Sequence, residues 1–409
     1  MTDFDIRDHL KPGDMVVVGQ ATAEPPDLVG RLIAAAQDVP ELVAFCGYSL
    51  TDAWNEVTAS GPRVRTYFAH GAFRKLGDRG LLEVLPWHLS VFESYITSGR
   101  LKPDVVLLQV APKGEDGYFN LGPTADYVVV AAERAREVLV EVNPDMPRVR
   151  SGRQLHESLV TGVITTDAPL AGSPNRRANE VEHTLAAQVA SLVPSGSTIQ
   201  LGASALAHEV ARELCALTDL RVRSGLVGDW LVDLYEAGAM ASGPDTAVIG
   251  MAIGTRRLYN FVADNEAVWF APTQEIVDPT AMAGCAPFVA INSAIEVDIT
   301  GAINAEVVAG RYVGAVGGQV DFFRGSRFSV DGMAIVALSA VHPNGDSRIV
   351  ASLQGPATSL KSDVDLVVTE FGVADLRAAS LAERAEQLVA VAAPHHRREL
   401  AAAAGLKET

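Results

Sequence analysis

The stretch Ala290–Arg324, AINSAIEVDITGAINAEVVAGRYVGAVGGQVDFFR, decides how the chain is read. An apolar lead-in ends in Asn292 and Ser293. A short alternating strand follows, with Glu296 and Asp298 on one face and Ile295, Val297 and Ile299 on the other. Next come a glycine-rich turn at Gly314, Gly317 and Gly318, and an alternation of Gln319, Asp321 and Arg324 with Val320, Phe322 and Phe323. Backbone N–H groups without a Cβ beside them let a ligand approach closely. A strand aiming two carboxylates at such a turn therefore points to a site. The same residues also read as an edge strand with a solvated acidic face and an ordinary turn, and spacing leaves both open.

Working outward, Asp104–Val110 (DVVLLQV) is an unbroken apolar run of the kind buried on both faces of a parallel sheet. Strand signals also fall at 14–20, 42–47, 65–68, 127–132 and 138–142, with helices expected from Asp27, as a cap, to Ala36, over 90–97 and from about Glu133. After a linker at Ala171–Arg177 the pattern restarts. Strands are expected at 198–201, 220–223, 247–251, 268–270, 334–338 and 366–369, and helices at 181–192, 205–216, 229–237, 257–263 and 381–392. The tail from Ala401 is weakly specified. Strand, loop and helix in repetition indicate an α/β fold: two similar open α/β domains with mainly parallel sheets, over 1–175 and 176–409. Ligands on such sheets sit at the carboxyl ends of strands, which places the loops after Phe68 and after Val110 on the functional rim.

Composition narrows the function. The chain has 409 residues, 48% hydrophobic and 20% charged, as globular proteins of about two or three domains do. A net charge of −17 argues against binding to a nucleic-acid backbone, though not against an anionic ligand in a local pocket. Cys46, Cys215 and Cys285 are odd in number and far apart, which fits a reducing cytoplasm and suggests neither disulfides nor a metal site. The polar N-terminus does not read as a signal peptide, and no apolar run reaches the roughly 20 residues of a membrane span.

Five segments together resemble a known family. They are AINSAIEVDITGAINAE (290–306), VGGQVDFFRG (316–325), TEFGVADLR (369–377), APKGEDGYFNLG (111–122) and EVNPDMPR (141–148). They are similar to motifs of the acetyl-CoA hydrolase/4-hydroxybutyrate CoA-transferase family, within the class I CoA-transferases. The loop at 111–122 matches that family's S-P-x-D-x-x-G-Y-x-S-L-G, and 141–148 its E-V-N-x-x-M-P-R. The resemblance covers nearly the whole chain, more weakly before Arg100. It implies CoA-transferase-like domains, a CoA thioester in the cleft between them, an acyl-CoA substrate with a carboxylic acid acceptor, no metal, and a homodimer.

Transferases of the family use a glutamate that attacks the thioester carbonyl and becomes a glutamyl-CoA thioester, a covalent route that also needs donors for the developing oxyanion. That glutamate lies in H-T-E-M after the second strand of the C-terminal half. Here the place reads LRVRSGLVGDWLVDLYEAG (220–238), so Arg223, Ser224 and Gly225 stand for histidine, threonine and glutamate. Glycine cannot form the acyl intermediate. Three readings follow: a thioester hydrolase or transferase whose carboxylate is Glu296, Asp229 or Glu370; a hydrolase of a C–C bond in a CoA-linked ring or keto acid, with Arg223 pairing a substrate carboxylate; or a non-catalytic CoA-binding protein. A slipped register would instead make Glu213 or Glu236 the nucleophile, although both fall on expected helices.

By the same resemblance Gly317, Gly318 and Gln319 contact CoA and the carbonyl, Asn292 lies near the thioester, and Glu370 lines the cleft. Each has a simpler reading: a turn needing positive φ, an asparagine turn cap, and a strand-end carboxylate capping a helix at Val373–Arg377. Glu296 and Asp298 match motif letters and equally suit a structural role, holding Arg324 or loop amides. His70 and His88 follow strand or proline-turn signals on the N-terminal rim, where a lone loop histidine is more often incidental, and His342, His395 and His396, near loops or the tail, suggest no metal site. Lys113 is placed to meet a CoA phosphate or simply to be solvated.

Overall fold

The computed structural model describes residues 4–173, 176–285 and 287–406. They form two compact units, one comprising Met1–Pro174, Val248–Ile276 and Tyr312–Gly317, the other Asn175–Ala247, Val277–Arg311 and Gly318–Thr409. Residues 174 and 175, where one domain was expected to give way to the next, lie outside the described residues.

The first unit holds seven parallel strands: β1 (Met15–Val18), β2 (Val43–Cys46), β3 (Arg63–Thr66), β4 (Leu82–Val84), β5 (Val105–Val110), β6 (Glu137–Val142) and β7 (Gly162–Thr165). Their order is β4-β3-β2-β1-β5-β6-β7. All six residues of β5 are buried, as its unbroken apolar run requires. Alternate residues feed two cores. Val16, Val18, Val105 and Leu107 pack with Leu28 and Leu32 of the helix Pro26–Ala35. Val17, Val106 and Leu108 pack with Phe92 and Val128 on the other face. Each such fully buried side chain contributes about 1.5–3 kcal/mol.

In the second unit β8 (Thr198–Gln200), β9 (Arg221–Val227), β10 (Phe288–Asn292), β11 (Met333–Ala337), β12 (Leu366–Thr369) and β13 (Gly372–Asp375) run in the order β9-β8-β10-β11-β12-β13. The first five are parallel and β13 is antiparallel. Beside them Glu296–Asp298 pairs antiparallel with Ile303–Asn304 and parallel with Ile349–Val350. Strands Ala247–Ala252 and Val268–Phe270 run, from Val248, with the first unit: Ala252 N donates to Pro123 O at 3.0 Å and Phe270 N to Arg150 O at 2.9 Å.

Several local expectations are corrected. Val128–Ala132 is a helix, not a strand, and no helix starts at Glu133; five consecutive buried apolar residues do not distinguish the two states by pattern. Residues 319–326 form a helix rather than an alternating strand, because the buried pairs 319/320, 322/323 and 325/326 recur every three positions. Gly372–Asp375 is a strand, so Glu370 caps no helix at 373–377. The tail forms a helix at Arg397–Ala403. Asp27 is not the N-cap of its helix: Pro25 is, and the N–H groups of Asp27 and Leu28 donate to Glu141 Oε2 at 3.0 and 3.1 Å.

Candidate active site

Strand order reverses in the second unit between β8 and β10, the position where open α/β sheets leave a crevice at their carboxyl ends. Gln200 ends β8 and Asn292 ends β10, and Asn292 Nδ2 donates to Gln200 Oε1 at 2.7 Å across that reversal. One residue further on, the Ser293 carbonyl accepts from Gln319 Nε2 at 3.1 Å. Gln319 Oε1 in turn accepts from Ser359 Oγ at 3.2 Å. Asn292 and Gln319, chosen on motif grounds, thus make hydrogen bonds at the adjacent residues 292 and 293.

Arg348 extends this rim and carried no sequence signal. Its Nε donates to Ile295 O at 2.8 Å, one terminal nitrogen to Ser339 Oγ at 2.8 Å, and the other to Ala294 O. Burial lowers its pKa to about 10, while the nearby Glu370 carboxylate opposes that shift. Glu370 follows β12, and its Oε2 accepts from Ala340 N at 2.8 Å, just past the end of β11. The ends of β8, β10, β11 and β12 therefore carry Gln200, Asn292, Ala340 and Glu370 in the order in which their strands lie side by side.

Glu296 and Asp298 brace their own small sheet. Glu296 Oε1 accepts from Asn304 Nδ2 at 2.9 Å, Gln354 N at 2.7 Å and Gly355 N at 3.0 Å. Asp298 Oδ1 accepts from Thr300 N at 2.8 Å, Thr300 Oγ1 at 2.6 Å and Ala302 N at 3.1 Å, closing an Asx turn. Arg324 pairs instead with Asp363, at 3.1 Å. Glu296 also borders a cavity of about 850 Å³ with His342, Asp346, Gln354, His396 and Leu400.

The segment that was expected to turn after residue 223 continues as β9, so Gly225 sits inside a strand. Arg223 and Gly225 share one face, half-buried, and Ser224 points to the other. The Ser224 hydroxyl is fully buried and donates to Leu201 O at 2.6 Å, which ties β9 to the end of β8. Asp229, also buried, is the N-cap of the helix Trp230–Glu236. Glu213 and Glu236 lie on helices, and Glu213 pairs with Arg212.

Before Gln319 the chain runs through the glycine turn. Gly317 has φ +54°, a left-handed conformation that favours glycine, and its carbonyl accepts from Leu89 N at 3.0 Å. Gly318 has φ −98° and is the N-cap of the helix Gln319–Ser326. Lys113 forms an ion pair with Glu157. Among the described residues no group of three or more His, Cys, Asp or Glu is arranged to hold a metal, and no helix is long and apolar enough to cross a membrane.

Known proteins carry the same architecture. The family model for the acetyl-CoA hydrolase/transferase N-terminal domain matches residues 1–165, and that for the C-terminal domain residues 254–404. The chain is 31% identical over 395 residues to 4-hydroxybutyrate coenzyme A transferase of Clostridium kluyveri, covering 94% of this chain and 92% of that protein. The crystal structure of RipA from Yersinia pestis superposes with a TM-score of 0.91 at 29% identity, covering 98% and 96% of the two chains. For 4-hydroxybutyrate CoA-transferase from Porphyromonas gingivalis the TM-score is 0.78 at 28% identity, covering 97% of this chain and 94% of that one.

Proposed function

Because the chain belongs to the acetyl-CoA hydrolase/transferase family, we propose that it cleaves or exchanges the thioester of an acyl-CoA without a covalent glutamyl intermediate, Gly225 standing where the family's nucleophile would be. The observation that supports this best is the Asn292–Gln200 contact at the strand-order reversal, with Gln319 tied to the adjacent Ser293. In this reading Gly317, Gly318 and Gln319 contact CoA and the thioester carbonyl, and Asn292 orients the thioester. Glu370 acts as general base. A water gives its proton to Glu370, its oxygen attacks the carbonyl carbon, the C–S bond breaks, and the thiolate leaves to be protonated. Glu296 is the other candidate base. Its Oε1 is engaged by three donors, which favours Glu370. Arg223, on the face it shares with Gly225, contacts the acyl group. Ser224 serves that contact through the backbone, since its hydroxyl is taken by Leu201.

A second reading is hydrolysis of a C–C bond in a CoA-linked ring or keto acid. Gly225 favours it by leaving room for a bulkier acyl group. A third, CoA binding without turnover, needs no base at all. Incubation with acetyl-, propionyl- and succinyl-CoA, with and without free acids, separates them. Thiol release without an acceptor supports hydrolysis, and acceptor-dependent exchange supports transfer. Silence on every thioester, with saturable CoA binding by calorimetry, supports the binding protein. We further propose a cytoplasmic homodimer, which light scattering of the purified protein tests for its assembly.

A further inference from the structure

The cavity of about 850 Å³ that Glu296 borders lies wholly within the second unit. Three carboxylates reach it from three separate elements: Glu296 from the small sheet, Asp346 from the turn His342–Asp346, and Glu399 from the C-terminal helix Arg397–Ala403. Among the described residues that line it, none is lysine or arginine. Carboxylates gathered around one space without a counter-charge repel each other, and a cation placed between them relieves that.

Glu296 is the most deeply placed of the three, only 5% exposed. Its Oε1 takes all three of its donors, Asn304 Nδ2, Gln354 N and Gly355 N. That leaves Oε2, without a partner among the described residues, as the oxygen that meets the cavity. A nearly buried carboxylate oxygen left unsatisfied calls for a donor.

The walls are braced around this group. Val297 N donates to Arg348 O at 2.8 Å, joining the Glu296 strand to the segment after the turn. Within the turn, His342 N donates to Asp346 O at 2.8 Å and Gly345 N to His342 O at 2.9 Å. His396 Nε2 donates to Gly345 O at 3.0 Å, tying the turn to the start of the C-terminal helix. Burial and the neighbouring Arg348 guanidinium hold His342 below its ordinary pKa, against the pull of Glu296 and Asp346, so its ring adds no positive charge near pH 7. Arg348 itself turns its donors to Ala294 O, Ile295 O and Ser339 Oγ and does not line the cavity.

Between the carboxylates the lining is aliphatic, with Val308, Ile349 and Leu400. A bare metal ion gains nothing from such a wall, and no group of three or more His, Cys, Asp or Glu among the described residues is arranged to hold one. Methylene groups between ammonium groups would cover it. We propose that this cavity binds an aliphatic polyamine, its ammonium groups paired with Glu296, Asp346 and Glu399 and its methylenes laid on Val308, Ile349 and Leu400. The site does not depend on the acyl-CoA reading above.

Calorimetry of the full chain with spermidine in about 0.15 M salt tests it, with hexaamminecobalt(III) as an ion of equal charge and no methylenes. The native protein should bind spermidine with a Kd of about 10–100 µM, about threefold or more tighter than hexaamminecobalt(III). Asp346→Asn combined with Glu399→Gln should weaken spermidine about tenfold. Removing two exposed carboxylates of the first unit, Glu56→Gln with Glu133→Gln, should leave it unchanged. Urea unfolding checks that both double variants fold. The proposal is overturned by any of three results: no saturable spermidine binding, hexaamminecobalt(III) bound as tightly as spermidine, or equal weakening by the two double variants, which would mark the net charge of −17 acting as a whole.

Discussion

Asn292 Nδ2 lies 2.7 Å from Gln200 Oε1, joining the two strands between which the order of the second sheet reverses. The contact fixes which way the Asn292 amide faces.

If Asn292 orients the thioester, Asn292→Ala should lower kcat/KM for the best acyl-CoA by about tenfold or more. Gln200→Ala should lower it less, and the double variant should show a coupling of about 1 kcal/mol. Steady-state kinetics on all three variants measures this. A turn-capping role alone would lower unfolding stability and leave kcat/KM per folded molecule unchanged.

Gly317 and Gly318 separate by backbone conformation. Gly318, at φ −98°, has a backbone that any residue adopts, whereas Gly317, at φ +54°, does not. Gly318→Trp should therefore fold normally and weaken CoA binding by about tenfold or more through occlusion. Gly317→Ala should lower stability by about 1–2 kcal/mol. Calorimetry and urea unfolding measure the two effects, and unchanged CoA affinity in Gly318→Trp removes the loop from the site.

Glu296 should prove important for folding before anything else. Its removal takes their acceptor from the Gln354 and Gly355 amides and one of two acceptors from the buried Asn304 side chain, around a carboxylate that is itself buried. Glu296→Ala should cost about 2–4 kcal/mol in urea unfolding. A loss of turnover with native stability would instead make it catalytic.

Burial raises the pKa of Glu141 to about 7 from an ordinary 4.5; the two N–H groups on Oε2 oppose this, and Oε1 is buried without a partner among the described residues. The folded state thus holds a proton that the unfolded chain has released between pH 4.5 and 7. The stabilisation is complete below pH 4.5 and is lost as pH rises through 7. Relative to the native protein, Glu141→Gln should gain up to roughly 3 kcal/mol between pH 5 and 8. Urea unfolding across that range measures it, and a constant difference would contradict the raised pKa.

What the sequence shows of this protein follows how local the interactions are. Val105–Val110 is legible as a central strand because its burial is written into one continuous run. The helix at 319–326 was obscured because Gln319–Phe322 alternates polar and apolar, and over so short a span only the adjacent Phe322 and Phe323 break a period of two. Asn292 and Gln319 were found through motif letters, but Arg348 holds carbonyls 53 and 54 residues away and gives no local sign of it. Glu24 is equally silent, since the residues it gathers lie 25 to 30 positions downstream. Tyr48, Phe68 and His70 come together because β2 and β3 are adjacent, which no single segment encodes.

The central claim is that thioester chemistry here proceeds without a carboxylate at position 225. Gly225 lies in an extended strand, so Gly225→Glu introduces the missing group without backbone strain. The native protein and this variant are incubated with succinyl-CoA, treated with borohydride, which reduces a glutamyl thioester to the alcohol, and mapped by peptide mass spectrometry. The account predicts reduction at residue 225 in the variant, with a gain in acceptor-dependent transfer, and no reduced carboxylate in the native protein. A reduced Asp229, Glu213, Glu236, Glu296 or Glu370 in the native protein, or a folded, CoA-binding variant with no adduct at 225, would contradict it.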